Sequence, residues 1–342
     1  MSPRTLVLTR DDIAALVTMD RAIGVMAQAF RAYATGAARQ PAKLYLDLPE
    51  HHGDFRAMPA YLKSPLAAGL KWVNVHERNA RRALPTVMGL VILNDPRTGF
   101  PYAILDGTTL TSLRTGATGG LAAKLLARRN SRVVGLIGCG EQARTQLAAV
   151  MTTHRIAEVY VWGPQLTLTQ QFVNRESWIV DRLTTHASRR TIHAPKVTAV
   201  ATIAACVQPA DIIVTTTPSR RPLVHARWLK QGVHINAIGA DAPGKRELAR
   251  DVVEGARVIV DDWVQAAHGG ELNVPAREGW FNRRHVAGTL GDIAAGRARG
   301  RRMAKERTIF DSTGLAIQDI ALAAWIYREA IRRRRGRWVR FF

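Results

Sequence analysis

The sequence predicts an α/β protein: a doubly wound parallel sheet with helices on both faces, joined to a smaller α+β domain. Three observations carry this. After residue 131 short apolar runs alternate with helical or loop segments, as VVGLIG, EVYVW, KVTAV, DIIVTTT, VHINAIG and RVIVD, which is the rhythm of parallel strands covered on both faces. Before that point, β-like runs follow one another across turn residues with no helices between them, the pattern of a mixed or antiparallel sheet. A chain of 342 residues, 47% of them hydrophobic, has material for two cores.

Taken in order, 11–33 carries apolar residues at Ile13, Leu16, Val17, Ile23, Val25, Met26 and Phe30, a helical period that Gly36 can stop. The runs KLYLDL, DFRAM, GLKWVNV, TVMGLVILND and FPYAILDG then read as strands. The turn Asn94-Asp95-Pro96-Arg97-Thr98-Gly99 makes a hairpin of the last two. An alanine-rich helix over 108–127 leads into the parallel strands. A final amphipathic helix over 315–332 returns to the first domain. The expected division is 1–130 with 310–342 as one domain and 131–309 as the other.

No run of eighteen apolar residues exists, and MSPRTLVLTRDD lacks the charged-then-apolar pattern of a signal peptide. The expectation is a cytoplasmic protein with no membrane partner. Cys139 and Cys206, the two cysteines, stand far apart and in no metal-ligand spacing, so neither a disulfide framework nor a metal site is expected, and both read as small buried residues. The formal charge of +22 would ordinarily raise nucleic acid as a partner. The excess is scattered apart from 297–302 and 332–335, with no basic stripe interleaved with aromatics. A solvated basic surface and a frayed tail are expected instead.

In VVGLIGCGEQA, Gly138 ends a strand and Glu141 opens a helix, so Gly138-x-Gly140-x-x-Ala143 falls where a dinucleotide fingerprint must fall. Gly138 permits the tight turn, and Gly140 lets backbone approach the pyrophosphate. Ala143 lets helix and strand pack closely, and the helix start at Glu141 and Gln142 offers amides to the anion. This makes the sheet Rossmann-type. The adenosine ribose calls for an acid at the end of EVYVW, where Gly163-Pro164-Gln165 stands instead. Glu158 lies at a tempting distance but opens the strand, the wrong end of the sheet. With no carboxylate to repel a 2′-phosphate, NAD(P) is expected with a lean to NADP. Gly163, Thr215 and Thr216, at strand ends, complete the expected cofactor contacts of this domain.

Three further stretches carry candidate chemistry. Lys71 lies inside the apolar run Ala68-Gly69-Leu70-Lys71-Trp72-Val73, where burying an ammonium is costly or lowers its pKa. Arg114 lies in a helix otherwise built of small residues. Asp241 follows a strand's carboxyl end, the edge of an open α/β sheet where ligands bind. A lysine and an arginine on one cleft would hold a carboxylate, and their repulsion would suit the lysine to proton transfer. The alternative is surface charge that happens to flank apolar segments.

These residues stand in motifs that resemble the ornithine cyclodeaminase and mu-crystallin family, which includes archaeal-type alanine dehydrogenases and ketimine reductases. The motifs are Ala57-Met58-Pro59, Gly69-Leu70-Lys71, Asn79 to Thr86, Leu93 to Gly99, Leu110 to Ala117, Gly138-Cys139-Gly140, His234 to Asp241 with Pro243-Gly244-Lys245, and Phe310 to Gly314. The resemblance implies that Lys71 contacts the substrate carboxylate and handles a proton, and that Arg114 binds the carboxylate. It gives Asp241 the activation of water or of the substrate amine. Met58 is then a substrate neighbour, Thr86 and Thr115 line the cofactor, and Ser312, Thr313 and Gly314 approach the nicotinamide. It also implies a homodimer formed through the first domain.

Two departures bear on the substrate. Where the family often has an arginine, Gln40-Pro41-Ala42-Lys43 holds Lys43, a point charge without the bidentate fork. Where ornithine-cyclising members have an acid before the Met-Pro pair, this chain has Arg56. Arg56 would repel a diamine, unless it points outward as an exposed strand residue. The expected activity is an NAD(P)-dependent oxidoreductase interconverting an L-amino acid, or an N-substituted one, with its imine or 2-oxo acid. The alternatives are an ornithine or lysine cyclodeaminase, and a cofactor-bound binding protein of crystallin type without useful catalysis.

Overall fold

The computed structural model describes residues 3–175 and 194–341. It divides into two compact units, Met1–Arg114 with Leu315–Phe342, and Thr115–Gly314. The first contains β1 (Thr5–Leu8), β2 (Ala38–Arg39), β3 (Leu44–Leu48), β4 (Gly53–Lys63), β5 (Leu66–His76), β6 (Val87–Asn94), β7 (Pro101–Asp106) and, from the end of the chain, β16 (Arg337–Val339). They form one sheet in the order β16-β1-β7-β6-β5-β4-β2, with β3 also on β4. All pairs are antiparallel except β1 with β7.

The long hairpin β4–β5 fixes which side chains share a face, because residues opposite one another in an antiparallel pair point the same way. Met58 lies opposite Lys71, and Lys71 lies opposite Val91 on β6. That face is covered by the helix Ala316–Arg333, whose Ile320 reaches Gly69 so closely that a Cβ there would stand 2.9 Å from Ile320 Cδ1 and closer still to Ile92 O. The other face carries Leu44, Leu46, Leu66, Trp72 and Leu90, all exposed.

The expected N-terminal helix is two helices, Arg10–Leu16 and Met19–Ala34, because Val17 and Thr18 are extended. Thr9 and Asp12 form a capping box on the first, a start signal readable in the sequence. The tail expected to fray instead forms β16, in register with β1 through Thr5–Val339, Leu6–Trp338 and Val7–Arg337. A three-residue strand beside an arginine run has no period to detect.

The second unit holds β8 (Val133–Ile137), β9 (Glu158–Trp162), β10 (Lys196–Ala199), β11 (Ile212–Thr215), β12 (His234–Ala237), β13 (Arg257–Val260), β14 (Val286–Thr289) and β15 (Thr308–Asp311). Their order is β10-β9-β8-β11-β12-β15-β13-β14, parallel throughout. Chain order reverses between β8 and β11, which creates the crevice where such sheets bind ligands. The register brings Trp162, Ile137, Thr215, Ala237, Asp311 and Val260 to one carboxyl edge.

The expected domain boundaries shift at both joins. β15 is fully buried and sits between β12 and β13, so 310–314 belongs with the parallel sheet. The helix Gly107–Leu126 is divided after Arg114, because its later residues are tied to the second unit. Gln146 Nε2 donates to Thr115 O at 2.8 Å, and Asn236 Nδ2 donates to Gly119 O at 3.0 Å.

Candidate active site

In the second unit the turn after β8 has the geometry a dinucleotide requires. Gly138 takes φ +110°, and its N–H donates to Trp162 O at 2.8 Å, closing the turn against the end of β9. A Cβ at Gly138 would stand 2.5 Å from Thr216 Oγ1, so β8 and β11 approach here as only glycine allows. Gly140 faces open space, with no atom within 4 Å of a Cβ built there. It caps the helix Glu141–Thr153 without any side chain of its own, leaving the first amides of that helix for a ligand. Ala143 is fully buried against the strands, as close helix packing needs. The turn therefore fits a pyrophosphate.

The other expected contacts of this unit are less uniform. Gly163 is buried at the end of β9, and a Cβ there would press on Cys139 Sγ at 2.8 Å. Cys139 is thus half-buried beside the turn and not fully buried as expected, whereas Cys206 is buried and its thiol is pushed up to about 12 by burial. Glu141 spends its carboxylate on Arg144 at 2.6 Å, and Gln142 is partly covered in the same turn. Thr215 is fully inside the sheet, while Thr216 donates to Ile137 O at 3.2 Å beside the glycine turn. Ser312 N donates to Ala237 O at 3.0 Å. Thr313 and Gly314 are held by Asp261, which accepts from their amides at 2.7 and 2.9 Å. Asp241 pairs with Lys245 at 2.9 Å, on the segment that follows β12.

Two carboxylates that sequence reasoning passed over organise this edge. Asp261 is one. Glu247 is the other: fully buried, it accepts from Thr217 N at 2.6 Å, Thr217 Oγ1 at 2.7 Å and Gly239 N at 3.0 Å, tying the segments after β11 and β12 together. Burial raises its carboxyl to about 7 against those hydrogen bonds. Acids abutting apolar strands, as Asp261 in RVIVDD, were the available signal.

In the first unit, Lys71 on β5 is 1% exposed and its Nζ lies 2.8 Å from Asp319 Oδ2. The other oxygen, Oδ1, accepts from Arg114 Nε at 3.0 Å, and Gln318 Oε1 accepts from Arg114 Nη1 at 2.9 Å. Lys71 Nζ also reaches Thr111 Oγ1 at 3.4 Å. Lys71 and Arg114, far apart in sequence, are therefore brought together, as a carboxylate clamp requires. Burial lowers the Lys71 ammonium from 10.5 to about 7, with Arg114 and Lys43 adding to the shift and Asp319 opposing it. Asp319 and Gln318 were not anticipated. The signal was an acid inside LAIQDIALAAW, where a fully buried carboxylate needs a partner.

Met58 is buried opposite Lys71, and Arg56 is on the same face two residues away. Arg56 does not point outward. It is 6% exposed, forks onto Asp54 at 2.7 and 2.9 Å and lies over the Tyr45 ring at 5.2 Å. Its charge is already countered, so its repulsion of a diamine is weaker than the sequence suggested. Thr86 is exposed at the entry to β6, and Thr115 is buried in the second unit.

The sequence matches the model of the ornithine cyclodeaminase/mu-crystallin family over residues 4–334. The chain belongs to that family. Among its relatives, the alanine dehydrogenase of Archaeoglobus fulgidus is 47% identical over 344 residues, covering 99% of both chains. A solved archaeal alanine dehydrogenase dimer with bound NAD superposes with a TM-score of 0.91 at 46% identity, over 99% of this chain and 100% of that one. The Delta(1)-pyrroline-2-carboxylate reductase of Thermococcus litoralis, solved with NADH and L-proline, gives a TM-score of 0.92 at 32% identity over 98% and 100%. Among the described residues no single helix is long and apolar enough to cross a membrane.

Proposed function

We propose that the protein is a nicotinamide-dependent oxidoreductase that interconverts an L-amino acid, or an N-substituted one, with its imine or 2-oxo acid. The observation that carries this reading is the buried Lys71–Asp319–Arg114 constellation, in a chain whose parallel sheet ends in a dinucleotide turn. The bound dinucleotide supplies or accepts the hydride at the substrate Cα. Lys43, Lys71 and Arg114 hold the carboxylate, and the buried Lys71 and Arg114 do so in a low-dielectric setting where a cation is worth more than in water. Lys71, poised near neutrality, gives its Nζ proton toward the imine side in reduction and takes one back in oxidation. Asp241, paired with Lys245 at 2.9 Å, assists attack of water or release of the amine. Holding the substrate in one orientation supplies much of the rate enhancement.

The solved relatives hold NAD and NADH, which supports NAD as a working cofactor. The end of β9 at Gly163-Pro164-Gln165 carries no acid, so the 2′-phosphate of NADP is also admitted, and comparing kcat/KM for NADH and NADPH tests the lean toward NADP. The exposed apolar face of Leu44, Leu46, Trp72 and Leu90 supports assembly as a homodimer. The decisive assay is a panel of pyruvate with ammonium, pyruvate with methylamine, 1-pyrroline-2-carboxylate, L-ornithine and L-lysine, followed by cofactor absorbance. Stoichiometric oxidation of the reduced cofactor by an imine supports the reading. Formation of proline and ammonia from ornithine with no net change in cofactor would instead establish the cyclodeaminase.

A further inference from the structure

We propose that Asp319 is a positioning residue for the carboxylate clamp: by bridging Lys71 and Arg114 it keeps the two cations side by side and keeps the proton on Lys71. This rests on the assignment of Lys71 as the group that exchanges a proton with the substrate.

Lys71 occupies a position between Met58 and Val91 that would ordinarily hold an apolar side chain. An ammonium there, with a guanidinium beside it and no counterion, gives up its proton. Asp319 is the group that opposes this. One carboxylate oxygen serves Lys71 at 2.8 Å and the other serves Arg114 at 3.0 Å, and Asp319 itself has no exposure to water. The charged groups acting on Lys71 are Asp319 from the final helix, Arg114 from Gly107–Leu126 and Lys43 from the segment before β3. One anion among three cations leaves the clamp net positive, as it must be to receive a substrate carboxylate.

The placement of Asp319 is built from several sides. Gln318 offers Oε1 to Arg114, the only orientation open to its amide because a guanidinium presents donors alone. Gln40 Oε1 accepts the Ile317 amide at 3.0 Å, fixing the first turn of the helix. Gly69 lets that helix settle onto β5, since any side chain there would meet Ile320 and the β6 backbone. Asp319 thus acts through Lys71 and Arg114.

The test is the pH dependence of kcat/KM for imine reduction in Asp319→Asn and Asp319→Glu, with NADH affinity measured alongside. Asp319→Asn is expected to move the limb set by Lys71 to lower pH by one unit or more, so that activity lost at pH 7 returns in acid. NADH affinity stays within twofold. Asp319→Glu, which keeps the charge but displaces the carboxylate by one methylene, is expected to leave the limb in place and raise the KM of the carboxylate substrate at least fivefold. An Asp319→Asn profile that keeps its limb, or loses the same factor at every pH, overturns the proposal. If Asp319→Asn does not fold, a Glu variant with wild-type KM overturns it. A wild-type chain inactive on every imine would sink the underlying reading of the site as well, a different result from an active wild type whose variants behave alike.

Discussion

Replacing Gly140 by alanine separates cofactor binding from folding more cleanly than any other change at the turn. Gly140 has φ −96° and ψ −171°, a conformation open to alanine, and no atom lies within 4 Å of the added Cβ. On stability alone the substitution is about neutral, because the gain of about 0.4–1 kcal/mol from the lost freedom of the unfolded chain is offset by alanine being a poorer helix N-cap than glycine. The added methyl occupies the space the pyrophosphate needs, so Kd for NADH is expected to rise about tenfold or more, about 1.4 kcal/mol of binding. Gly138→Ala provides the contrast. At φ +110°, with Thr216 Oγ1 2.5 Å from the new Cβ, it costs on the order of 1–3 kcal/mol of folding stability and lowers Tm. Calorimetric titration with NADH and thermal melts read both quantities. A Gly140→Ala protein that binds NADH as the wild type does would refute the role given to this turn, and one destabilised as much as Gly138→Ala would refute the open geometry.

Lys71→Met keeps the length of the side chain and removes its proton. Turnover is expected to fall about 10²–10⁴-fold with NADH affinity unchanged, as read by steady-state kinetics and titration. In the wild type, reduction needs the Lys71 ammonium and should decline as pH rises through about 7, while oxidation needs the free amine and should rise over the same range. Pre-steady-state rates in both directions check the signs. Leu90→Arg, at a residue 53% exposed and opposite Trp72 on the uncovered face of the first sheet, should shift the sedimentation coefficient from dimer to monomer.

The parts of the fold that were legible in the sequence are those with a repeating pattern. The near-continuous apolar runs from VVGLI to RVIV became parallel strands, and the NDPRTG turn joined two antiparallel ones. The parts that were not legible depend on partners distant in sequence. β16 is a strand because β1 offers it an edge, and β1 is one because it lies between β16 and β7. β15 counts with the parallel sheet because it fits between β12 and β13, although its sequence runs straight into the helix of the first unit. The candidate site divides along the same line. Lys71 and Arg114 were visible as charges in apolar settings, but their nearness is set by Asp319, some two hundred residues further along the chain. Arg56 shows the converse: its charge was plain, and its neutralisation by Asp54 two residues away depends on a rotamer that sequence does not specify.

Hydride transfer to Cα is followed with NADH deuterated at both C4 hydrogens and with pyruvate plus ammonium or 1-pyrroline-2-carboxylate as acceptor. Mass spectrometry of the product then locates the label. One deuterium at Cα of the L-amino acid is expected for each cofactor oxidised. Product formed without deuterium at Cα, or label that stays on the cofactor while ornithine is cyclised, would contradict it.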